Sequence, residues 1–378
     1  MKIIIKILKY GYRKIFNTSI FFLYPKLFLS YLIFFFTFIK YTYFLKKTNS
    51  GNSKKENILY IDYKFYFYDK KELNPNLVHT IPWLKKLNYN VDTFFYDEVK
   101  YDFTLASNLF LKVIKSNPSL IIMSTLQVDN KFHPSHKLLK YLIKKINCKF
   151  IFMWWDSCSK NFTLKHKNLI DHNYFNLHVT GDNPRGFMDY YDLSKKNKDT
   201  FYFDFVGPPD IEQYKSNPEK NYDVVFMGQG HSYRDYRMEF IDYLEKNLPP
   251  SYNVYFSINE RDNQPSHEMH SQILSKAKIG LNFSMSVDYD QLKGRSLYTM
   301  ISGALLIETE NKQISKFFDP YNDYVPFKTK EELLEKIIFY LKNDKERERI
   351  ARNGMNKSLN NFDGLIQWKL ILEKINKL

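Results

Sequence analysis

Beyond residue 57, short apolar runs alternate with longer segments of helical periodicity. Runs such as 119–125 (SLIIMST) and 149–156 (KFIFMWWD) are apolar on both faces, as expected of parallel strands covered by helices on each side. This alternation predicts βα units and an α/β fold with doubly wound parallel sheets. In the first half the candidate strands are 58–62, 91–96, 120–124, 150–155 and 177–180, and the candidate helices are 78–87, 105–115 and 136–145.

The chain is long enough for two domains. Its 378 residues, 44% of them hydrophobic, can bury two ordinary cores. Regular structure is interrupted at 205–220, which holds one glycine and three prolines. We therefore expect a membrane-associating segment and linker (1–55), a first Rossmann-like domain (56–215), a second (216–355) and a C-terminal helix (356–378). The apolar stripe of that helix suits either a crossing back to the first domain or packing in a core.

The net charge of +15 is concentrated at the N-terminus. Residues 1–55 hold 11 of the 56 Lys and Arg residues and no acidic residue, which leaves 45 basic and 41 acidic residues in the rest of the chain. Because that part is nearly balanced, the charge argues against nucleic-acid binding. A basic excess within an apolar segment instead favours an anionic membrane surface as the partner of residues 1–55.

The apolar run 27–39 is shorter than the ~20 residues needed to cross a bilayer. Extending it to residue 20 would enclose Pro25 and Lys26, which introduce a kink and a costly charge. We therefore expect the segment to lie in the membrane plane or to re-enter it, and the protein to be peripheral or monotopic at the cytoplasmic face of the cell membrane. A full span and an ordinary buried helix pair are the alternatives.

Cysteine usage agrees with a cytoplasmic protein. Cys148 and Cys158 have neither the number of a disulfide framework nor the spacing of a zinc site. We interpret both as reduced thiols.

In the first half, candidate site residues follow the predicted strands, because ligands of such sheets bind beyond the carboxyl ends of the strands. Asp156 follows the double tryptophan and is a candidate base or sugar ligand, although a helix-capping aspartate is an equal interpretation. His133 is a candidate contact to an acceptor. His133 and His136 could share a metal, but Pro134 disfavours a helix there and we predict no metal site. The other polar residues at strand ends are Asp62, Ser124, Ser157, Thr180, Gly181 and Asp182.

The second half opens with a strand at 222–227 that runs into Gly228 and Gly230 and then a helix. A glycine-rich turn before a helix lets backbone N–H groups approach a phosphate, and the helix dipole favours the anion. Arg234 and Arg237 in the first helical turns could chelate a diphosphate. In the alternative interpretation the glycines serve the geometry of a tight turn alone.

The stretch 277–327 is the most informative. It predicts a strand at 279–283, a polar loop, a helix at 291–302 that a glycine ends, and a strand at 304–308. Lys293 and Arg295 lie near the N-terminus of this helix, where two cations beside free backbone donors would hold a pyrophosphate. Asp288 and Asp290 in the loop form a pair of the kind that can bind a divalent cation, but a solvated loop is the favoured interpretation.

Residues 275–354 resemble the C-terminal domain of group 1 glycosyltransferases, particularly the branch with the spore-maturation CgeB-like proteins. The resemblance implies the GT-B fold, in which two Rossmann-like domains face a cleft. A nucleoside-diphosphate sugar would then bind to the second domain, and a glycan or lipid-linked acceptor would face the first. The matching pieces are QLKGR, GALLIETEN, FFDPYNDYVPF and EELLEKIIFYLKNDKERERIARNG, with a weaker match in YDVVFMGQGHSYRDYR.

The resemblance also implies hexosyl transfer without a cofactor or metal, in which Lys293 and Arg295 neutralise the leaving diphosphate. It further implies retention of anomeric configuration, with the leaving phosphate as base. We expect a role in surface polysaccharide or glycoconjugate synthesis. Asp156 or His133 is the candidate base if the enzyme inverts.

One position departs from the family, which commonly has a glutamate that contacts the donor where this chain has Tyr298. Either Glu308 or Glu310 takes over that contact, or donor binding is altered. A catalytically inactive nucleotide-sugar-binding protein of the same fold is therefore the alternative function.

Overall fold

A computed structural model gives the architecture of most of the predicted elements. It describes residues 25–42, 57–66, 72–124, 148–154, 175–180, 201–204, 214–228, 230, 235–258, 265–284 and 292–378. The predicted helix at 136–145 lies outside these residues.

The first sheet has six parallel strands. Its strands are β1 (Asn57–Asp62), β4 (Asn90–Phe95), β5 (Leu120–Ser124), β6 (Lys149–Trp154), β7 (Leu177–Thr180) and β8 (Phe201–Asp204), in the order β4-β1-β5-β6-β7-β8. A short antiparallel hairpin, β2 (Phe65–Tyr66) and β3 (Glu72–Leu73), follows β1. Five of the six strands lie within one residue of their predicted positions, and β8 was not predicted.

The second sheet has five parallel strands in the order β10-β9-β11-β12-β13. They are β9 (Tyr222–Gly228), β10 (Val254–Ile258), β11 (Ala277–Asn282), β12 (Leu305–Thr309) and β13 (Val325–Phe327). The prediction of an α/β fold with parallel sheets is confirmed. In both sheets the first strand in sequence lies between the second and the third, so that the direction of winding reverses beside it.

Helices cover the sheets. In the first half they are α1 (Pro25–Thr42), α2 (Pro75–Lys86) and α3 (Leu105–Ser116). In the second half they are α4 (Asp235–Asn247), α5 (His267–Ser275), α6 (Gly294–Ile301), α7 (Lys330–Lys342), α8 (Asp344–Phe362) and α9 (Gly364–Lys377). Side-chain caps begin several of them: the Asn74 side chain accepts a hydrogen bond from Asn76 N (3.0 Å) at α2, and Ser266 Oγ accepts one from Met269 N (3.1 Å) at α5.

Helix α9 packs against the first sheet rather than the second. Its buried residues Trp368, Ile371 and Ile375 share a core cluster with strands β1, β5, β6 and β7. Lys149 Nζ of β6 donates to the carbonyl oxygens of Ile375 (2.9 Å) and Asn376 (3.3 Å), which places a cation at the negative end of the helix dipole. The end of the chain thereby returns to the first half.

Helix α1 lies on α3, where the rings of Phe34 and Phe110 are 5.6 Å apart in an edge-to-face contact. Leu29 and Phe36 on α1 are exposed to 42% and 64%. Within the part of the chain that the structure describes, no helix combines the length and the apolarity of a membrane span.

Candidate functional site

The candidate site lies at the carboxyl ends of β9 and β11 in the second sheet. These strands are neighbours, and β10 and β12 continue from them in opposite directions. Such a reversal point is where open α/β sheets bind their ligands. Gly228 ends β9, Asn282 ends β11, and the first turn of α6 lies beside them.

Arg295 contacts residues of both strands near their carboxyl ends. Its Nη1 donates to Asn282 Oδ1 at 2.9 Å, and its guanidinium carbon lies 5.4 Å from the centre of the Phe226 ring on β9. A Cβ atom at Gly228 would come within 3.0 Å of Arg295 Nη2, so a larger residue there would require the guanidinium to shift by a few tenths of an ångström. The half-buried position and the aromatic contact restrict the arginine to few orientations.

Lys293 occupies the N-cap position of α6, and its carbonyl accepts the first helical hydrogen bond from Ser296 N at 3.0 Å. No side-chain hydrogen bond caps this end. The first N–H groups of any helix lack partners within the helix, and the helix dipole makes this end positive. Lys293, Arg295 and the start of α6 therefore concentrate positive potential at the reversal point.

Glu308, at the carboxyl end of β12, is completely buried. Its Oε2 accepts hydrogen bonds from Asn282 Nδ2 (2.6 Å), Ser296 Oγ (2.7 Å) and Ser284 Oγ (3.1 Å). Its Oε1 accepts from Ser284 N (3.0 Å) and Thr309 Oγ1 (2.9 Å). Burial raises the pKa of this carboxyl above its ordinary value, and these hydrogen bonds to the carboxylate oppose the shift. A direct contact between Glu308 and a sugar donor stays a prediction.

Glu310 lies in a different environment from Glu308. It is exposed after the end of β12, and its Oε2 is 3.1 Å from Lys328 Nζ. Its backbone N–H donates to the Phe327 carbonyl at 2.8 Å. Of the two predicted donor contacts, Glu310 is therefore the one open to solvent.

Packing accounts for one of the two glycines in the predicted phosphate loop. A Cβ atom at Gly230 would come within 2.1 Å of Ile258 Cγ2 and 2.4 Å of Met238 Sδ. Arg237 is buried, and its Nη2 donates to the Phe283 carbonyl at 2.8 Å, so this guanidinium holds the end of β11. Arg234 lies outside the described residues. A contact of Gly228, Gly230 or Arg234 with phosphate stays a prediction.

Tyr298, at the position where the resembled family has glutamate, packs within the protein. Its ring stacks on that of Tyr214, with centroids 4.5 Å apart and planes inclined by 13°. The Tyr214 hydroxyl lies 3.2 Å from His270 Nδ1. An aromatic cluster therefore occupies the position of the expected carboxylate.

The predicted site residues of the first half are described only in part. Asp156 and His133 lie outside the described residues, as do Asp288 and Asp290 of the second half. Asp62 is completely buried and accepts hydrogen bonds from Tyr63 N (2.8 Å) and Asn74 Nδ2 (3.1 Å), so it fixes the loop that follows β1. Among the residues with a described placement, no group of three or more His, Cys, Asp or Glu could hold a metal ion.

Sequence reasoning missed the polar side chains that surround Glu308. Asn282, Ser284 and Ser296 are short and uncharged, and Thr309 continues a strand. Their only local signal is the segment LNFS (281–284) at the end of an apolar strand, where the polar residues alternate with apolar ones. Their convergence on one carboxylate depends on the pairing of β11 with β12.

Comparison with known proteins supports this description of the second half. Residues 217–364 match the family model described as glycosyl transferase-like. The comparison with curated proteins gives no match.

Solved structures share the fold over most of the chain. HepE from Anabaena, in complex with UDP and glucose, is 13% identical with a TM-score of 0.58, and the match covers 85% of this chain and 100% of HepE. A glycosyltransferase from Rickettsia africae is 11% identical with a TM-score of 0.58, covering 86% of this chain and 99% of its own. An alpha-glucosyltransferase in complex with UDP-glucose and DNA containing an abasic site is 12% identical with a TM-score of 0.58, covering 85% and 100%. The chain thus has the α/β fold of GT-B glycosyltransferases, as predicted.

Proposed function

We propose that this chain is a glycosyltransferase that moves a hexosyl group from a nucleoside-diphosphate sugar to an acceptor hydroxyl. The observation that carries the proposal is the position of Arg295 between the ends of β9 and β11, beside the N-terminus of α6. This position lies within the segment that matches the family model described as glycosyl transferase-like. UDP-glucose is the first donor to test, because the similar structures of HepE and of the alpha-glucosyltransferase contain UDP or UDP-glucose.

In the proposed reaction, the bond between the anomeric carbon and the diphosphate oxygen breaks and the acceptor oxygen bonds to that carbon. The diphosphate gains negative charge as it leaves. Arg295, Lys293 and the first N–H groups of α6 are donors held in place before the reaction, and they stabilise that charge most in the transition state. This scheme needs neither a metal nor a cofactor.

The fate of the acceptor proton is a further part of the proposal. In a retaining reaction the leaving phosphate takes this proton. In an inverting reaction a protein side chain takes it, and Asp156 and His133 are the candidates. Gly228, Gly230 and Arg234 are proposed as further phosphate contacts, and either Glu308 or Glu310 as the contact to the donor.

The cellular setting is also proposed. The basic excess in residues 1–55 and the exposed Leu29 and Phe36 on α1 support attachment to an anionic membrane at the cytoplasmic face. There the acceptor would be a glycan or a lipid-linked sugar, and the product a surface polysaccharide or glycoconjugate. Membership of the CgeB-like branch is part of the same proposal.

An inactive nucleotide-sugar-binding protein is the second candidate function. It is favoured by one observation, the stacking of Tyr298 on Tyr214 where the resembled family has glutamate. Incubation of the full-length chain with UDP-glucose separates the two functions. Release of UDP, with transfer to water or to an added acceptor, supports the enzyme, whereas tight binding without turnover of any nucleotide sugar supports the second candidate.

The replacement Arg295→Ala tests the proposed donor site. A charge-assisted contact to diphosphate is lost, so we expect the affinity for UDP to fall by at least about tenfold, a change of ~1.4 kcal/mol. Isothermal titration calorimetry on the full-length chain measures the affinity, and the circular dichroism spectrum should match that of the original protein.

Arg352→Ala is the matched control, because Arg352 is exposed on α8. It removes the same charge from the same half of the chain, and UDP affinity should stay unchanged. Equal affinity in the Arg295→Ala and Arg352→Ala variants would remove Arg295 from the donor site.

A further inference from the structure

The carboxylate of Glu308 accepts hydrogen bonds from three separate parts of the second half. Asn282 ends β11, Ser284 follows it, Ser296 lies in α6, and Thr309 is the next residue of β12. A charged group without solvent is costly unless hydrogen bonds surround it. Here every donor is a protein group, so the carboxylate joins the end of β11 to the first turn of α6.

Glu308 determines which way the Asn282 amide faces. A carboxylate only accepts hydrogen bonds, so the NH₂ end of the amide has to point toward it. Asn282 Nδ2 lies 2.6 Å from Glu308 Oε2, 2.8 Å from Ser284 Oγ and 2.7 Å from Ser296 Oγ, and its two hydrogens are shared among these three acceptors. The carbonyl end of the amide is therefore turned the other way, where Arg295 Nη1 donates to Oδ1 at 2.9 Å.

The same carboxylate also holds the residue next to Arg295. Ser296 Oγ donates to Glu308 Oε2 at 2.7 Å, and both groups are completely buried. Glu308 thus fixes the first turn of α6 directly and the guanidinium of Arg295 through the amide. No other carboxylate of the described residues hydrogen-bonds to Asn282 or to Ser296.

We propose that Glu308 is a positioning residue that acts through Asn282 and Ser296 to aim Arg295 at the donor diphosphate. The inference rests on the proposed function, because it assigns the orientation of Arg295 to nucleotide binding. In this role Glu308 does not contact the sugar directly, because it reaches Arg295 only through Asn282 and the first turn of α6.

A double-mutant cycle tests the inference, with UDP affinity of the full-length chain measured by calorimetry. Glu308→Gln keeps the shape but has one acceptor oxygen where the carboxylate has two. Whichever way its amide faces, its NH₂ group meets either the Asn282 NH₂ or the Ser284 N–H, so the network that fixes the Asn282 amide is broken. We expect UDP affinity to fall about tenfold in Glu308→Gln, the cost of a misplaced charged hydrogen bond. If Glu308 acts through Arg295, the double variant Glu308→Gln with Arg295→Ala binds UDP as weakly as Arg295→Ala alone.

Thr309→Val is the matched control. It removes one donor to the same carboxylate, on the Oε1 side, where Thr309 Oγ1 also accepts a hydrogen bond from Ser284 N at 3.0 Å. We expect it to lower the melting temperature without changing UDP affinity. A purely structural role for Glu308 would make Thr309→Val and Glu308→Gln lose affinity in proportion to their loss of stability, which would overturn the inference.

Two further outcomes are decisive. If the losses from Glu308→Gln and Arg295→Ala multiply in the double variant, the two residues act independently and the inference is wrong. If Glu308→Gln does not fold, Asn282→Ala replaces it, because this variant keeps the carboxylate and its hydroxyl donors and removes the amide that links Glu308 to Arg295. It is expected to show the same non-additivity with Arg295→Ala.

Failure of the inference is distinguishable from failure of the proposed function. An original chain that binds UDP, with independent effects of the two replacements, overturns only the role of Glu308. An original chain that binds none of UDP, GDP and ADP overturns the proposed function, and the inference falls with it.

Discussion

Arg295 and Glu308 illustrate how much a single residue reveals before its neighbours are known. The sequence marks Arg295 as a cation near a helix start, and the structure brings it to the ends of two strands. For Glu308 the sequence is less informative, because an acidic residue in the apolar run ALLIETE does not indicate which side chains surround it. Its five hydrogen bonds come from residues up to 26 positions away in the chain. Tertiary pairing, which local patterns do not encode, creates this network.

Lys220 gives a prediction at the same scale. Its Nζ donates to the carbonyls of Ser275 (2.8 Å) and Ser302 (3.1 Å), at the C-terminal ends of α5 and α6. Burial, and secondarily the charge of Arg347, lowers the pKa of Lys220 from 10.5 to about 8. The folded protein therefore binds fewer protons than the unfolded chain between these two pH values, so this residue makes the free energy of unfolding rise with pH there.

The measurement is urea unfolding of the original chain and of Lys220→Met at several pH values from 7.5 to about 9.5. This range covers the lowered pKa of Lys220 and extends toward its ordinary value. Burial raises the pKa of Cys148 and of Tyr60, which gives slopes of the opposite sign at alkaline pH, but both proteins share these. We expect the original chain to gain stability relative to Lys220→Met as the pH rises. A constant difference between the two would show that the pKa of Lys220 is not lowered.

At the scale of elements, the sequence predicts central strands better than edges. The apolar runs of β1, β5, β6 and β7 are located within one residue, because strands buried on both faces are strongly apolar. Among the edge strands, β4 was predicted, whereas β8 and β13 were missed. Strand β13 has only three residues and contains a proline, which normally argues against a strand. Helix α6 begins at Gly294, three residues after the predicted start. The helix therefore starts later than predicted, and Lys293, which was expected inside it, is its N-cap residue.

At the scale of the whole molecule, the two sheets repeat one winding pattern and α9 joins the end of the chain to the first of them. The sequence leaves the destination of α9 open, because an apolar stripe fits any complementary surface. The structure gives it contacts with Trp83 of α2, where a Cβ atom at Gly364 would come within 2.2 Å of Trp83 Nε1. The likeness to solved structures extends over 85% of the chain, although identity is only 13%.

Membrane attachment is a prediction about the whole molecule. We expect the full-length chain to float with liposomes that contain anionic lipid and to do so weakly with zwitterionic ones. Neutralising Lys2, Lys6, Lys9, Arg13 and Lys14 with glutamine should remove about 1 kcal/mol of binding free energy per residue near the surface. Flotation of the glutamine variant equal to that of the original chain would contradict an electrostatic attachment through residues 1–55.

The central claim is that the start of α6 and Arg295 bind the diphosphate of a sugar donor. A crystal structure of the full-length chain with UDP tests it most directly. The account predicts both phosphates at the carboxyl ends of β9 and β11, with an oxygen within hydrogen-bonding distance of Arg295 and of a backbone N–H of α6. UDP bound elsewhere, or a space at that point filled by packed side chains, would contradict it.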